Sequence, residues 1–300
     1  FTGFVRDISK RRKAERQVQQ EVERRDRFLA MLSHELRNPM GAVLNALQLV
    51  DVEDEDRTER RQPLDVVKRQ TEHMARLLDD LLDVSRITQN KISYRRDIID
   101  LDQTVEEVVQ TVEHLIDAKD QRLSIEISGA PLRVWGDPAR LRQVQLNLLT
   151  NASKYTPQNG RIELEMSREG EQAVIRVRDT GEGMSPELLQ RVFQIFVQSD
   201  GTLHRSRGGM GLGLAISKSI VLAHQGTIEA HSDGPSLGSE FAVRIPLTQR
   251  EPKAAASSCP KTDFSGRRIL LAEDNDDARQ MLTEILQRKG FVVTEAADGV

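Results

Sequence analysis

The chain has 300 residues, enough for two or three domains that each bury a core, with 30% charged residues and a formal net charge of −4. That balance carries no global nucleic-acid signature, and a single cysteine, Cys259, excludes an internal disulfide framework and fits a reducing compartment. No window approaches the roughly 18 uninterrupted apolar residues of a membrane span, and no signal peptide is visible. The chain begins at Phe1 rather than Met and stops at Val300 inside a pattern. It is therefore expected to be a cytoplasmic fragment of a longer protein, with upstream membrane anchoring left open.

Residues Phe1 to Ser9 read as a last strand running into a helix. From Ile8 a loose heptad follows, with Ile8, Glu15, Val22 and Leu29 on one seam and Arg11, Val18, Arg25 and Leu32 on the other. The basic run Lys10 to Lys13 is interleaved downstream with Glu15, Glu21, Glu23 and Asp26 and has no aromatic platform, so it reads as a solvated helix face.

The stretch Ser33-His34-Glu35-Leu36-Arg37-Asn38-Pro39 pairs an imidazole with an adjacent carboxylate, and Pro39 is expected to break the next turn. Such a histidine can attack through one nitrogen while the carboxylate takes the proton from the other. An isolated His-Glu pair is more often a solvated helix face; the parts found downstream favour His34 as a phosphoryl acceptor. After it, Val43, Leu44, Leu47 and Val50 continue a helical stripe, Asp51 to Asp56 reads as a turn, and a second helix is predicted from Glu59 to Gln89. Its stripe is Leu64, Val67, Met74, Leu77, Leu78, Leu81, Leu82 and Val84. Two helices cannot hide that much apolar surface alone, so a homodimer forming a four-helix bundle is expected.

From Asp100 the pattern mixes helix and strand. A helix is predicted from Asp102 to Lys119, with Val105, Val108, Val109, Val112, Leu115 and Ile116 inward. Strands are predicted at Leu123 to Ser128 and Leu132 to Trp135. Asp137-Pro138 then caps a helix that runs to Tyr155. Strands follow at Arg161 to Ser167 and Ala173 to Arg178, helices at Ser185 to Phe196 and Leu212 to Ala223, and strands at Gly226 to His231 and Phe241 to Leu247. Together they read as an α/β sandwich.

Four constellations carry chemistry. Asn147 and Asn151, four apart on one helix face, offer amide oxygens to a Mg²⁺ that keeps several waters, and Lys154 offers a point charge to phosphates. Asp179-Thr180-Gly181-Glu182-Gly183 lies at a strand end, where a carboxylate can accept from an exocyclic amine and two glycines let backbone approach a flat base. Gly208 to Leu214 opens a helix whose N–H groups can meet phosphate oxygens. Between these lie Phe193 and Phe196, then a polar stretch with His204, Arg205 and Arg207, which has the makings of a lid. Each alone has a plain reading as core, turn or surface; their order and spacing together do not.

With these residues in hand, Asp26 to Leu247 resembles the catalytic region of a sensor histidine kinase. His34 to Pro39 is similar to that family's phosphoacceptor box, Asn147 to Tyr155 to its N box, Asp179 to Gly183 to the first glycine box, Phe193 to Phe196 to the F box, and Gly209 to Leu214 to the second glycine box. Gly238 to Phe241 is similar to the element before its last strand. The resemblance implies a multidomain chain: an all-α hairpin forming a dimeric four-helix bundle, then a Bergerat-type ATP-binding sandwich. It implies ATP with adenine read by Asp179 and packed near Tyr155, and Mg²⁺ at Asn151 and Asn147. Lys154, Arg205 and the backbone around Gly209, Gly211, Leu212 and Gly213 would balance phosphate charge, beside Gly181 and Gly183. His34 would attack the γ-phosphorus with Glu35 taking a proton, and Asn38 would orient water for dephosphorylating a partner.

Two flanks bear further resemblances. Gly3 to Ser9 is similar to the tail of a PAS sensor module. Beyond a linker rich in Pro, Ala and Ser, Ile269 to Asn275 resembles the start of a doubly wound α/β receiver domain, with Glu273 and Asp274 as Mg²⁺ ligands and the phosphoacceptor aspartate beyond Val300. The expected division is 1–9 PAS-like, 10–26 signalling helix, 27–96 dimerisation and phosphoacceptor domain, 97–248 ATP-binding domain, 249–265 linker and 266–300 receiver start. The implied whole is a hybrid kinase whose partner is a response-regulator receiver, its own or a separate one, with no nucleic acid. Two other classes stay open: an ATPase clamp of the same superfamily, which would carry a water-activating glutamate where this chain has Asn147, and a nucleotide-binding dimeric scaffold.

Overall fold

A computed structural model of the chain describes residues 32–33, 35–50, 61–88, 94–127, 129, 131–197, 210–248 and 266–298. The expected PAS-like tail, signalling helix and 249–265 linker lie outside these residues. Contacts divide the chain into two units, Phe1–Glu251 and Pro252–Val300.

In the first unit, helix α1 (residues 35–50) passes through Pro39 without a break, against expectation. Pro39 is buried there, so its packing sets against the one backbone bond that its ring forfeits. Helix α2 (Arg61–Thr88) follows. Of its expected stripe only Leu77 is fully buried, while Leu64, Leu78 and Leu82 stay about half exposed, as do Met40, Leu44 and Leu47 of α1. The hairpin thus presents apolar side chains on both helices.

The sandwich pairs one helical layer with a mixed sheet. Its elements are β1 (Asp97–Asp100), α3 (Leu101–Asp117), β2 (Arg122–Ile127), β3 (Arg133–Gly136), α4 (Pro138–Tyr155), β4 (Arg161–Glu169) and β5 (Gln172–Asp179), then α5 (Pro186–Leu189), α6 (Gly213–Ala223), β6 (Thr227–His231) and β7 (Ser239–Pro246). Five strands form the sheet in the order β2-β4-β5-β7-β6, with β2 and β4 parallel and the other neighbours antiparallel; β1 and β3 make a separate pair. Alternation decides which face is which. Ile162, Leu164, Met166, Ile175, Val177, Val243 and Ile245 join the core with Val105, Val108, Val112, Leu148 and Ile216 from the helices. The opposite face is a lattice of ion pairs in which Arg176 meets Glu165 and Glu169, Arg178 meets Glu163 and Glu240, and Arg244 meets Glu229.

Two expectations are corrected. Leu115 is exposed, because the inner face of α3 steps through Leu101, Val105, Val108, Val112 and Ile116 and Leu115 falls beside it. The helix expected from Ser185 to Phe196 ends after one turn, at Leu189. Beyond it the chain closes successive turns, Arg191 to Leu188 and Gln194 to Arg191, and Phe196 takes a left-handed φ of 67° with its N–H on the Gly211 carbonyl.

Helix α4 is tied at both ends. At its start Asp137 accepts from the N–H groups of Ala139 and Arg140 through one carboxylate oxygen and from Arg95 N–H through the other. Its own N–H donates to His224 Nε2 (2.9 Å), while His224 Nδ1 lies 2.7 Å from the Ile220 carbonyl. At its end the Lys119 ammonium donates to the carbonyls of Ser153, Lys154 and Thr156, and Gln121 Nε2 to those of Ser153 and Thr156.

The second unit is a β-α-β segment: β8 (Arg268–Ala272) and β9 (Val292–Ala296) pair in parallel, linked by α7 (Asp276–Arg288) capped by Asn275. Among the described residues no helix is long and apolar enough to cross a membrane.

His224 is 4% exposed and burial holds its pKa below the ordinary 6.5. The fold therefore favours the neutral ring, a contribution complete above pH 6.5 and lost as pH falls through the depressed value. His224→Gln is expected to destabilise by about 1–3 kcal/mol at pH 7.5, by leaving the Asp137 N–H poorly paired, and to flatten the stability loss between pH 6.5 and 5. Urea unfolding at several pH values measures both; parallel curves for the two proteins would contradict it.

Candidate active site

The tied end of α4 carries the residues of interest. Asn147, Thr150, Asn151, Lys154 and Tyr155 line a cavity of about 480 Å³ together with Asp179 at the end of β5, Glu182, Gly183 and Met184 after it, and Met210 to Leu214 at the start of α6. Phe241 of β7 forms part of the wall and meets the Phe193 ring edge-on. A space of that size holds a ligand of nucleotide dimensions.

Asp179 sits at the buried end of β5, 6% exposed, and one carboxylate oxygen accepts from the Gly181 N–H at 2.8 Å. Burial pushes its pKa up to about 6, against the backbone bonds from Gly181 and Ser239, which lower it. A carboxylate so desolvated is poised for a hydrogen-bond donor on a ligand. The glycines beside it also serve chain packing. A Cβ on Gly181 would meet the Tyr155 carbonyl at 2.5 Å, and Gly183, at φ 63°, passes within 2.1 Å of the Gly234 carbonyl by the same measure.

Asn147 donates to the Gly213 carbonyl (3.1 Å) and the Ser217 hydroxyl (3.3 Å), which fixes the start of α6 against α4. Asn151 makes no side-chain hydrogen bond among the described residues, and the Lys154 ammonium lies 4.8 Å from the Tyr155 ring centre. The first turn of α6 has no side-chain cap, so its N–H groups remain available to an anion in the cavity. The two amides suit a Mg²⁺ that shares a polyphosphate ligand and keeps waters, since that ion needs few protein oxygens.

The structure thus gathers Asn147, Asn151, Lys154, Tyr155, Asp179, Gly183, Gly211, Leu212 and Gly213 around one cavity, with Gly181 packed behind it. Glu35 and Asn38 lie on α1, Glu35 half-buried and Asn38 exposed. His34, Arg205 and Gly209 lie outside the described residues. Glu273 and Asp274 follow β8; one Glu273 oxygen accepts from the Asn275 N–H at 3.3 Å, and Asp274 is exposed. Among the described residues no three acidic, His or Cys side chains are grouped to hold a metal. Sequence reasoning missed one wall: His73, Arg76, Leu77 and Asp80 of α2 also face the cavity. Their polar members follow the apolar Leu77 at helical spacing, which is the only signal they leave in the sequence.

Residues 24–90 match the His Kinase A (phospho-acceptor) domain family, and residues 136–249 match the family described as histidine kinase-, DNA gyrase B-, and HSP90-like ATPase. The chain is 33% identical over 280 residues to the circadian input-output histidine kinase CikA of Synechococcus elongatus, covering 91% of this chain and 36% of that protein. It is 33% identical over 302 residues to the autoinducer 2 sensor kinase/phosphatase LuxQ of Vibrio vulnificus, covering 95% of this chain and 34% of that one. Among solved structures, full-length ShkA in complex with AMPPNP superposes with a TM-score of 0.56 at 27% identity, covering 90% of this chain and 55% of that chain. The chain spans about a third of the length of the two curated relatives.

Gly183→Ala is expected to cost more than about 1 kcal/mol, because it adds a backbone clash to the left-handed strain. Gly170→Ala, at φ 62° with open space around it, carries the strain alone and serves as the control. Thermal unfolding compares them; equal losses would contradict a packing role for Gly183.

Proposed function

Because the chain belongs to the two-component sensor histidine kinases, we propose that it uses ATP to phosphorylate His34 and passes the phosphoryl group to a receiver-domain aspartate. The observation that carries this reading is the single cavity in which α4, the end of β5 and the start of α6 bring Asn147, Asn151, Lys154, Asp179 and Gly213 together from far apart in the chain.

In this reading Asp179 accepts from the exocyclic amine of adenine, with Tyr155 and Met184 beside the base. The N–H groups at Gly211 to Gly213 and the Lys154 ammonium hold phosphate oxygens, and Asn151 and Asn147 hold the Mg²⁺ that comes with the nucleotide. When bound, that ion would neutralise phosphate charge and orient the terminal phosphoryl group. His34 supplies the nucleophilic nitrogen and forms the new N–P bond as the bond to the ADP oxygen breaks; Glu35, the next residue, receives the ring proton. Positioning and preorganised charge supply most of the rate. Asn38, one turn from His34 in sequence, orients water when the partner is dephosphorylated, an activity printed in the name of LuxQ. The half-exposed Met40, Leu44, Leu64, Leu78 and Leu82 support a homodimeric bundle through the hairpin, and the 266–300 segment is read as the start of a receiver with Glu273 and Asp274 at its metal pocket. A PAS-like tail, a receiver of the same or another chain as partner, and a cytoplasmic setting complete the reading.

Incubation with γ-labelled ATP and Mg²⁺ tests it: the label is expected on the protein, stable to alkali, lost in acid and absent from His34→Gln, which still binds ATP. Acid-labile label retained by that variant would refute His34; phosphate release without label would favour an ATPase. Asp179 adds a pH test. Ligand donors need the ionised carboxylate, so with a pKa near 6 the affinity for adenosine, which has no phosphate to titrate, is expected to fall about tenfold from pH 7 to pH 5 by proton competition. Calorimetric titration reads it, and a flat profile would contradict the role.

A further inference from the structure

Helix α2 supplies a wall of the cavity that the sandwich lacks. Leu77 is 5% exposed and belongs to the same core cluster as Leu148 and Ile216. Two turns further on, Asp83 accepts from Arg140 and from Gln143 Nε2 (3.1 Å), both on α4. The Asp83 side chain is only 7% exposed, so this is a desolvated, doubly bonded contact and not a surface pair.

That contact ties α2 to the first turn of α4. Neither Asp83 nor Arg140 lines the cavity, whereas Arg76 and Asn147 both do. Arg76, seven residues back along α2, and Asn147, seven residues on along α4, share that cavity. Arg76 thus faces the cavity that Asn147, Asn151 and Lys154 also line, and the proposed function puts the phosphates beside those three.

The charges lining the cavity point the same way. Among the described residues the permanent cations on its walls are Lys154 and Arg76, against Asp80, Asp179 and Glu182. His73 adds little charge, since burial first and then Arg76 hold its pKa below 6.5. A nucleoside triphosphate stays net negative even with a divalent ion bound, so a second protein cation beside Lys154 strengthens its hold. Arg76 makes no ion pair among the described residues and stands at i+3 from His73 and i−4 from Asp80, on the helix face turned to the cavity.

We propose that Arg76 of α2 binds the phosphates of the nucleotide, so that the helical hairpin as well as the ATP-binding sandwich forms the nucleotide site. The guanidinium suits the task, because its planar fork can meet two phosphate oxygens at once. Nucleotide binding then draws the sandwich against α2, and by linkage the seating of α2 through Asp83 raises the affinity for nucleotide. Asp80, one turn away, has its pKa pushed up to about 6 by burial and by the Asp83 and Asp79 carboxylates.

This rests on the nucleotide reading of the cavity, and calorimetric titration of the chain with Mg-ATP and with adenosine separates the two. Arg76→Ala is expected to weaken ATP about tenfold, the size of a lost charge-assisted contact, and to leave adenosine unchanged. Arg76→Lys should recover part of the loss, and Asp179→Ala should weaken both ligands. Wild-type ATP affinity in Arg76→Ala, with both ligands weakened in Asp179→Ala, would overturn the role of Arg76 and leave the nucleotide site standing. Equal weakening of ATP and adenosine in Arg76→Ala would make it a packing residue. No effect of Asp179→Ala on either ligand would overturn both readings.

Discussion

The site depends on the fixing of one helix at both ends. Helix α4 carries Asn147, Asn151, Lys154 and Tyr155, and each reaches the cavity only while the helix keeps its axial position over the sheet. At the start, Asp137 caps the helix and its N–H meets His224, which in turn faces the Ile220 carbonyl near the end of α6. At the end, Lys119 and Gln121 take up the carbonyls that the helix leaves unpaired. Through His224 and through Asn147, the two ends of α6 are referred to α4, so the first turn of α6 and the amide pair are tied to each other.

The cavity is also built from close backbone approaches. The segment after β5 can reach the turn at 234–238 because Gly183 has no side chain, and the buried Asp179 carboxylate is met by the Gly181 N–H. Desolvation raises the Asp179 pKa, a cost that a hydrogen-bonding ligand relieves. A structural requirement and a chemical one thus fall on the same five residues.

Much of this was legible in the sequence, for physical reasons. Asn147 and Asn151 had to share a face once a capped helix began at Asp137, and Asp179 had to end a strand that alternated from Ala173. The apolar spacing of Leu188, Leu189, Val192, Phe193 and Phe196 is equally good for a helix and for a folded chain of turns over the core, and there periodicity misled. Pro39 misled in the other direction, since a buried proline can ride inside a helix. The tertiary pairs left no sequence signal: Asp83 with Arg140 and His224 with Asp137 join residues far apart in the chain, as does the cavity that Arg76 shares with Asn147, and nothing local marks them. Gly181 and Gly183 were legible as glycines, but their close approach to the Tyr155 and Gly234 carbonyls was not.

The most direct test of the central claim, that one cavity between α4, β5, α6 and α2 binds nucleotide, is amide hydrogen exchange of the chain with and without Mg-ADP. Protection is expected to rise together at 147–155, 179–184 and 211–214, and at 73–80 on the hairpin. Protection confined to other segments, or none at saturating nucleotide, would contradict it.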